Sequence, residues 1–110
     1  MKVKFFETSS GRQPIKEFLE LCSSDVRSDF IDAVSLLEQG RLLEMPISRN
    51  LSSIFSGLHE MRLKDRSGQY RFFYYVKKRD GIYFVHAFKK KTQELPKKEI
   101  ELALKRLKEI

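Results

Sequence analysis

The sequence predicts one small α+β domain, in which a pair of helices packs against a twisted antiparallel sheet. Two observations lead to this prediction. Apolar residues recur with helical spacing between residues 14 and 39, and from residue 58 onward they alternate with polar residues, as in half-buried strands. The chain has 110 residues, enough for one hydrophobic core, and no repeat, low-complexity tract or Pro/Gly-rich linker divides it. We therefore expect residues 1–110 to form a single domain.

The first half of the chain is predicted to begin with a strand over 2–6, where apolar residues and lysines alternate. A helix over 14–22 follows, because Pro14 suits the first helical position and the apolar residues after it share one stripe. A second helix over 25–39 lies between serine and aspartate capping residues and a terminating glycine. Residues 41–57 show no clear period and are predicted to be mostly loop.

The second half is predicted to hold three strands, over 58–64, 69–77 and 82–88. Asp80-Gly81 is a strong signal for a tight hairpin before the last of them. A final helix starts near Pro96 and carries its apolar residues at i, i+3, i+4 and i+7. The predicted order is therefore β-α-α-β-β-β-α, with the last three strands forming an antiparallel meander and the helical hairpin covering one face.

The face of the meander turned away from the helices is predicted to carry a row of cations, Arg62, Lys64 and Arg71. Phe73 and Tyr75 flank this row on the same face. Arginine offers a planar fork that matches phosphate oxygens, and exposed aromatic rings can stack on unpaired bases. These residue types suit the gripping of a phosphate and the stabilisation of negative charge that develops on it. The alternative is a solvated sheet face that carries charge without a ligand.

Lys89, Lys90 and Lys91 follow directly after the last predicted strand. Like charges side by side repel, so three ammonium groups at a strand end contribute little to the fold. Neighbouring cations also weaken the hold of a lysine on its proton, and such a lysine can act as a general acid or base. We therefore expect the three lysines to surround a phosphate.

The net charge is +7 and is unevenly distributed. Residues 1–59 carry seven Lys/Arg and eight Asp/Glu, whereas residues 60–110 carry fifteen Lys/Arg and seven Asp/Glu. A basic half of this kind favours a polyanionic partner, most commonly nucleic acid. The single cysteine and the lack of a signal-like or membrane-spanning apolar run favour the cytoplasm.

No metal site, cofactor site or nucleophilic triad is predicted. His59, His86 and Cys22 lack the spacing of zinc ligands, and no Gly-rich phosphate loop or nucleophile elbow is present. His86 alternates with Phe84 and Phe88, which favours a histidine that belongs to the sheet.

Three ordered motifs identify a family resemblance. They are "G-L-x-E-x-R" over 57–62, "Y-R-x-x-Y" over 70–74 and "F-x-K-K-T" over 88–92, and "SSGRQPIKEFL" near the N-terminus fits the same pattern. In this respect the chain resembles RelE/HigB-type toxins of toxin–antitoxin systems, in particular their phage-derived branch. The resemblance covers nearly the whole chain and implies a small RelE-like α+β toxin domain.

The resemblance implies an mRNA interferase, a metal-independent endoribonuclease that enters the ribosomal A site. There the 2′-hydroxyl of translated mRNA attacks the adjacent phosphate, and translation is inhibited. By position, Arg62 and Lys64 match a basic pair of the family that includes the candidate proton acceptor. Arg71 matches the arginine that stabilises the phosphorane. Lys90 matches the basic residue that follows the last strand. Lys89 and Lys91 would contact the RNA beside it. The implied partners are the ribosome, mRNA and a cognate antitoxin, often a helix-turn-helix protein, with no cofactor and no membrane.

One feature of the family is missing here. The best-studied RelE proteins have a tyrosine near the start of the C-terminal segment, where this chain has Leu95-Pro96. Either His86 or Tyr75 could take its place, and the sequence does not distinguish between them. Together with Phe73 they are also the remaining candidates for contact with RNA. Two other hypotheses of function remain. The chain could be a ParE-like toxin that poisons DNA gyrase, or a non-catalytic module that binds nucleic acid or a protein.

Overall fold

A computed structural model describes residues 1–78, 80–91 and 93–110. Within them the chain forms five strands and three helices: β1 Val3–Phe5, α1 Pro14–Glu20, α2 Ser24–Glu38, β2 Ser48–Asn50, β3 Leu58–Asp65, β4 Gly68–Lys77, β5 Gly81–Lys90 and α3 Lys97–Leu107. This confirms the predicted α+β class and every predicted element. Thr92, the last residue of the "F-x-K-K-T" motif, lies outside the described residues.

The strands form one sheet in the order β1-β5-β4-β3-β2. The predicted meander of β3, β4 and β5 is confirmed, with antiparallel pairing throughout. The sheet as a whole is mixed, because β1 pairs with β5 in parallel, so the predicted antiparallel pairing does not extend to this strand. The loop prediction for 41–57 missed β2, a three-residue edge strand that is too short to show a period.

Two helices cover one face of the sheet and close the larger core over it. Phe30 of α2 lies 4.8 Å from Phe72 and 5.1 Å from Phe84, measured between ring centroids. Phe72 is fully buried, as its place in the alternation predicts. Burial of a side chain of this size contributes about 1.5–3 kcal/mol to the stability of the domain.

The opposite face is not open to water along its whole length, because α3 packs on it. The apolar stripe of α3 buries Ala103 and Leu107 against the sheet in a second cluster, with Leu51, Leu58, Phe73, Val85 and Phe88. Phe73 is 0% exposed, so the expectation that it stacks on an RNA base was wrong. Tyr75 packs at the border of this cluster and remains partly exposed.

A β-bulge in β5 decides which of its residues face α3. The register passes from Phe73 opposite His86 to Tyr74 opposite Phe84, so Val85 is an extra residue. After Val85, each side chain of β5 therefore lies on the face opposite to the one that an unbroken alternation predicts. Phe84 joins the core beneath α1 and α2, whereas His86 and Phe88 lie on the side of α3. The sequence predicts that His86 shares a face with both Phe84 and Phe88. This was wrong for Phe84, which lies on the opposite face.

Candidate phosphate-binding site

Four predicted catalytic residues lie together on the part of the sheet that α3 leaves uncovered. Arg62 on β3 is directly opposite Arg71 on β4. Lys64 is opposite Gln69, and Gln69 is in turn opposite Lys90 on β5. Because directly opposed residues share a face, the side chains of Arg62, Lys64, Arg71 and Lys90 all project to the same side. We call this surface the site face.

A buried glutamate lies among these cations and was not among the predicted site residues. Glu60 is 0% exposed, and its Oε1 accepts a hydrogen bond of 2.9 Å from Nε of Arg62. Its Oε2 lies 3.5 Å from Nε of Arg71. A buried carboxylate is tolerated only when it is paired. Glu60 is paired with both arginines and so fixes the positions of their guanidinium groups. The signal for it was present in the sequence, since Glu60 stands two residues before Arg62 on the same side of β3.

Arg71 is buried, and its side chain is held by several neighbours. It is only 6% exposed, and its NH2 group donates to the side-chain oxygen of Gln69 at 2.7 Å. Its NH1 group donates to the backbone oxygen of Tyr70 at 3.4 Å, and its buried Nε faces Oε2 of Glu60 in the ion pair described above. Burial lowers the pKa of Arg71, against the opposing effect of Glu60, although arginine keeps its charge in proteins. A cation that is fixed in this way is suited to bind an anion.

Lys90 is the proton-exchanging candidate on the site face. Partial burial lowers its pKa most, and the positive charges of Arg71, Arg62 and Arg49 lower it further, against the pull of Glu60. Lys90 therefore releases its proton more readily than a free lysine does. Arg49 lies opposite Glu60 on the edge strand β2, and the aperiodic sequence around it carries no signal of this role.

The other two lysines of the predicted cluster are placed differently. Lys89 is opposite Tyr70, on the face covered by α1 and α2, and its ammonium lies 5.8 Å from the centre of the Tyr70 ring. It cannot join Lys90 around one phosphate, because neighbouring residues of a strand project to opposite faces. Lys91 is exposed and lines a shallow depression together with Lys90 and Gln69.

His86, a predicted RNA contact, is instead buried beneath α3 at 7% exposure. Its Nε2 lies 2.9 Å from Glu99 Oε1, and its Nδ1 lies 3.2 Å from NH1 of Arg106. Because a guanidinium can only donate, Nδ1 must accept, and the ring is the neutral tautomer that donates from Nε2 to Glu99. His86 thus links β5 to both ends of α3, and its burial leaves it unavailable for the predicted contact with RNA.

The stability of the protein is expected to fall in mild acid because of His86. Burial lowers its pKa below the ordinary value of 6.5, and the charge of Arg106 adds to this, against the effect of Glu99. As the pH falls, His86 therefore becomes protonated in the unfolded chain before it does so in the folded protein. The contribution of the neutral imidazole to stability is complete above pH 6.5 and is lost as the pH falls toward the folded-state pKa. Urea unfolding of the wild type at pH 7.5 and pH 5.5 measures the loss.

His86→Gln is expected to show a smaller loss of unfolding free energy between these two pH values. His59→Gln is the matched variant. Burial also lowers the pKa of His59, so His59 is expected to account for part of the pH dependence that remains in His86→Gln. If His86→Gln retained the full pH dependence of the wild type, His86 would not be the group that titrates.

A cleft of about 550 Å³ opens beside the site face, near the end of β3 that β2 does not pair with. We call it the edge cleft. The sheet contributes Arg62, Lys64, Gln69 and Arg71 to its lining, and α2 and the segment 43–47 contribute the rest. The edge cleft and the site face therefore share the two arginines that Glu60 holds.

Two further properties hold for residues 1–78, 80–91 and 93–110. None of the helices there is long and apolar enough to cross a bilayer. Over the same residues, no three His, Cys, Asp or Glu side chains are grouped so that they could hold a metal ion.

Comparison with known proteins adds one finding. A family model described as "Phage derived protein Gp49-like (DUF891)" matches residues 17–108, which include both arginines of the site face and the whole of α2 and α3. No curated protein matches the chain.

Proposed function

Because the chain belongs to the Gp49-like family of phage-derived proteins, a toxin-like family within the RelE/HigB-like group, we propose that it is the toxin of a toxin–antitoxin pair and cleaves mRNA on the ribosome. The cognate antitoxin restrains it, and translating ribosomes in the cytoplasm present its substrate. The observation that carries this proposal is the convergence of Arg62, Arg71 and Lys90 on one face, where the terminal nitrogens of Arg62 have no hydrogen-bond partner among the described residues.

In the reaction we propose, the 2′-hydroxyl of one nucleotide loses its proton and attacks the adjacent phosphorus in line. The bond from phosphorus to the 5′-oxygen of the next nucleotide breaks, and that oxygen takes up a proton. The products are a 2′,3′-cyclic phosphate and a free 5′-hydroxyl. No redox partner or additional reactant is needed, so the protein has to supply only charge stabilisation and two proton transfers.

The side chains of the site face have different roles in this reaction. Arg71 and Arg62 stabilise the oxygens of the phosphorane, because they are held in place before the charge develops. Lys90, with its lowered pKa, exchanges a proton with the attacking or the leaving oxygen, and the exposed Lys64 serves the other transfer. Glu60 is occupied by the arginines and acts as a positioning residue.

Tyr75 does not replace the tyrosine that other RelE proteins carry near the C-terminal segment. It is four residues along β4 from Arg71, about 13 Å at the spacing of a strand. The buried Phe73 lies between the two on the same face. Tyr75 is thus too far away to touch the attacked phosphate, and we assign it at most a contact with a neighbouring nucleotide.

Mapping of mRNA 5′ ends in translating cells tests the proposal. Expression of the chain without an antitoxin is expected to produce new 5′-hydroxyl ends in phase with codons, and an inhibitor of translation initiation is expected to suppress them. If no cuts formed while DNA supercoiling by gyrase was blocked, the chain would be a ParE-like poison. If neither effect occurred, it would be a non-catalytic binding module.

A further inference from the structure

The edge cleft has a second wall whose chemistry differs from that of the site face. Asp29 and Asp32 lie one turn apart on α2, so that both face the cleft. Among the described residues neither carboxylate forms a hydrogen bond or an ion pair, and both are exposed. The cleft thus has two free acceptors at one side and guanidinium groups at the other.

The guanidinium end of the cleft has donors that the protein does not use. Arg62 lines the cleft and is partly exposed, and only its Nε is bonded, to Oε1 of Glu60, so its two terminal nitrogens have no hydrogen-bond partner among the described residues. A planar guanidinium with unused terminal nitrogens is suited to bind an anion. A phosphate suits this end, and the carboxylates of α2 repel a phosphate from the other.

The rest of the lining suits a flat, uncharged group. Leu36, Pro46 and Ile47 supply apolar walls between the two ends, and the volume of about 550 Å³ lies within the range of small-molecule sites. A nucleotide has the matching polarity, with an anionic phosphate at one end and an uncharged base with hydrogen-bond donors at the other. Unpaired bases of RNA are commonly read on their Watson–Crick edges in this way.

We propose that the edge cleft binds the base of the nucleotide next to the attacked phosphate, and that Asp29 and Asp32 select guanine. The two oxygens of a carboxylate are matched by two adjacent donors, and guanine presents N1–H and the N2 amine side by side. Adenine and cytosine offer only an amine on this edge, and uracil offers one N–H between two acceptors. The proposal rests on the proposed function for the identity of the phosphate, and adds the base that accompanies it.

The direct test compares two nucleotides that differ in one amine. Protein NMR titrations with 3′-GMP and 3′-IMP are expected to show that GMP binds at least about fivefold tighter, since inosine lacks the N2 donor. GMP is expected to shift the amide resonances of α2 and of 43–47, in addition to those of Arg62 and Arg71. Inorganic phosphate is expected to shift only the arginine end.

The matched variants are the double substitution Asp29→Asn/Asp32→Asn and the control Asp25→Asn. Asp25 is exposed on the same helix but does not line the cleft, so its substitution removes a charge without touching the site. The double variant is expected to bind GMP and IMP alike, whereas Asp25→Asn keeps the preference of the wild type. Equal binding of the two nucleotides by the wild type, or an unchanged preference in the double variant, would overturn the proposal.

Cleavage and partner binding separate this proposal from the proposed function. If the wild type preferred GMP but cut no mRNA in translating cells, the ribonuclease function would fail while the base site stood. If the wild type cut mRNA but bound GMP and IMP alike, the base site alone would fail. If the double variant lost affinity for the antitoxin and the wild type showed no preference for GMP, the cleft would belong to a protein partner.

Discussion

Arg71→Ala is expected to slow single-turnover cleavage of ribosome-bound mRNA by about a hundred- to a thousandfold, which is the usual cost of removing one fixed donor from a developing negative charge. The loss should fall mainly on the rate and much less on binding, because the charge that Arg71 stabilises arises only in the transition state. Ribosome affinity and the single-turnover rate, measured on the same preparations, separate the two effects.

The structure changes one part of this expectation. From its place on the polar side of β4, the sequence predicts that Arg71 can be removed without harm to the fold. In the structure Arg71 is buried beside Glu60, and loss of one partner of a buried pair typically costs about 3–5 kcal/mol. Arg62 remains bonded to Glu60, so we expect the variant to be destabilised but Glu60 not to be left without a counter-charge.

Arg71→Lys keeps the prediction testable if the alanine variant does not fold. Lysine retains the positive charge that faces Glu60 but lacks the planar fork, so stability should be largely kept while the rate still falls by at least about tenfold. Arg66→Ala removes an exposed arginine from the turn between β3 and β4 and serves as the control. A well-folded Arg71→Lys that cut mRNA as fast as the wild type would show that the phosphate lies elsewhere.

Glu60→Gln is expected to lower the free energy of unfolding by about 3–5 kcal/mol, because it leaves two neighbouring guanidinium groups without their buried counter-charge. Glutamine has nearly the same shape, so the loss would not come from a cavity. Urea unfolding at neutral pH measures it. Glu101→Gln is the control: Glu101 pairs with Lys97 on the exposed side of α3 at 4.0 Å, and its loss should cost less than about 1 kcal/mol.

The same variant distinguishes a positioning role for Glu60 from a direct role as proton acceptor. A positioning residue acts through Arg62 and Arg71, so cleavage by folded Glu60→Gln should be slower while both limbs of the pH profile remain. The limb that Lys90 sets should move to lower pH, because Glu60 raises the pKa of Lys90. Loss of the acidic limb of that profile would instead make Glu60 the general base. Unchanged stability together with an unchanged rate would show that the carboxylate does not organise the arginines.

The sequence by itself determined the class of the fold and most of its elements. The change from helical spacing to alternation at residue 58 reflects the burial of one helix stripe and one strand face, and the need to bury apolar side chains leaves a period that can be read locally. The same alternation was enough to put Arg62, Lys64 and Arg71 on one side of the meander, because that placement needs only the geometry of adjacent strands.

Only the tertiary structure decided which groups share the site with them. The bulge at Val85 turns Lys90 toward Arg71 and Lys89 away from it, and a strict period of two cannot reveal one extra residue. The docking of α3 buries Phe73 and His86, since an amphipathic helix must cover some apolar surface but its sequence does not say which. Pairings between distant residues depend on packing, which no local pattern encodes.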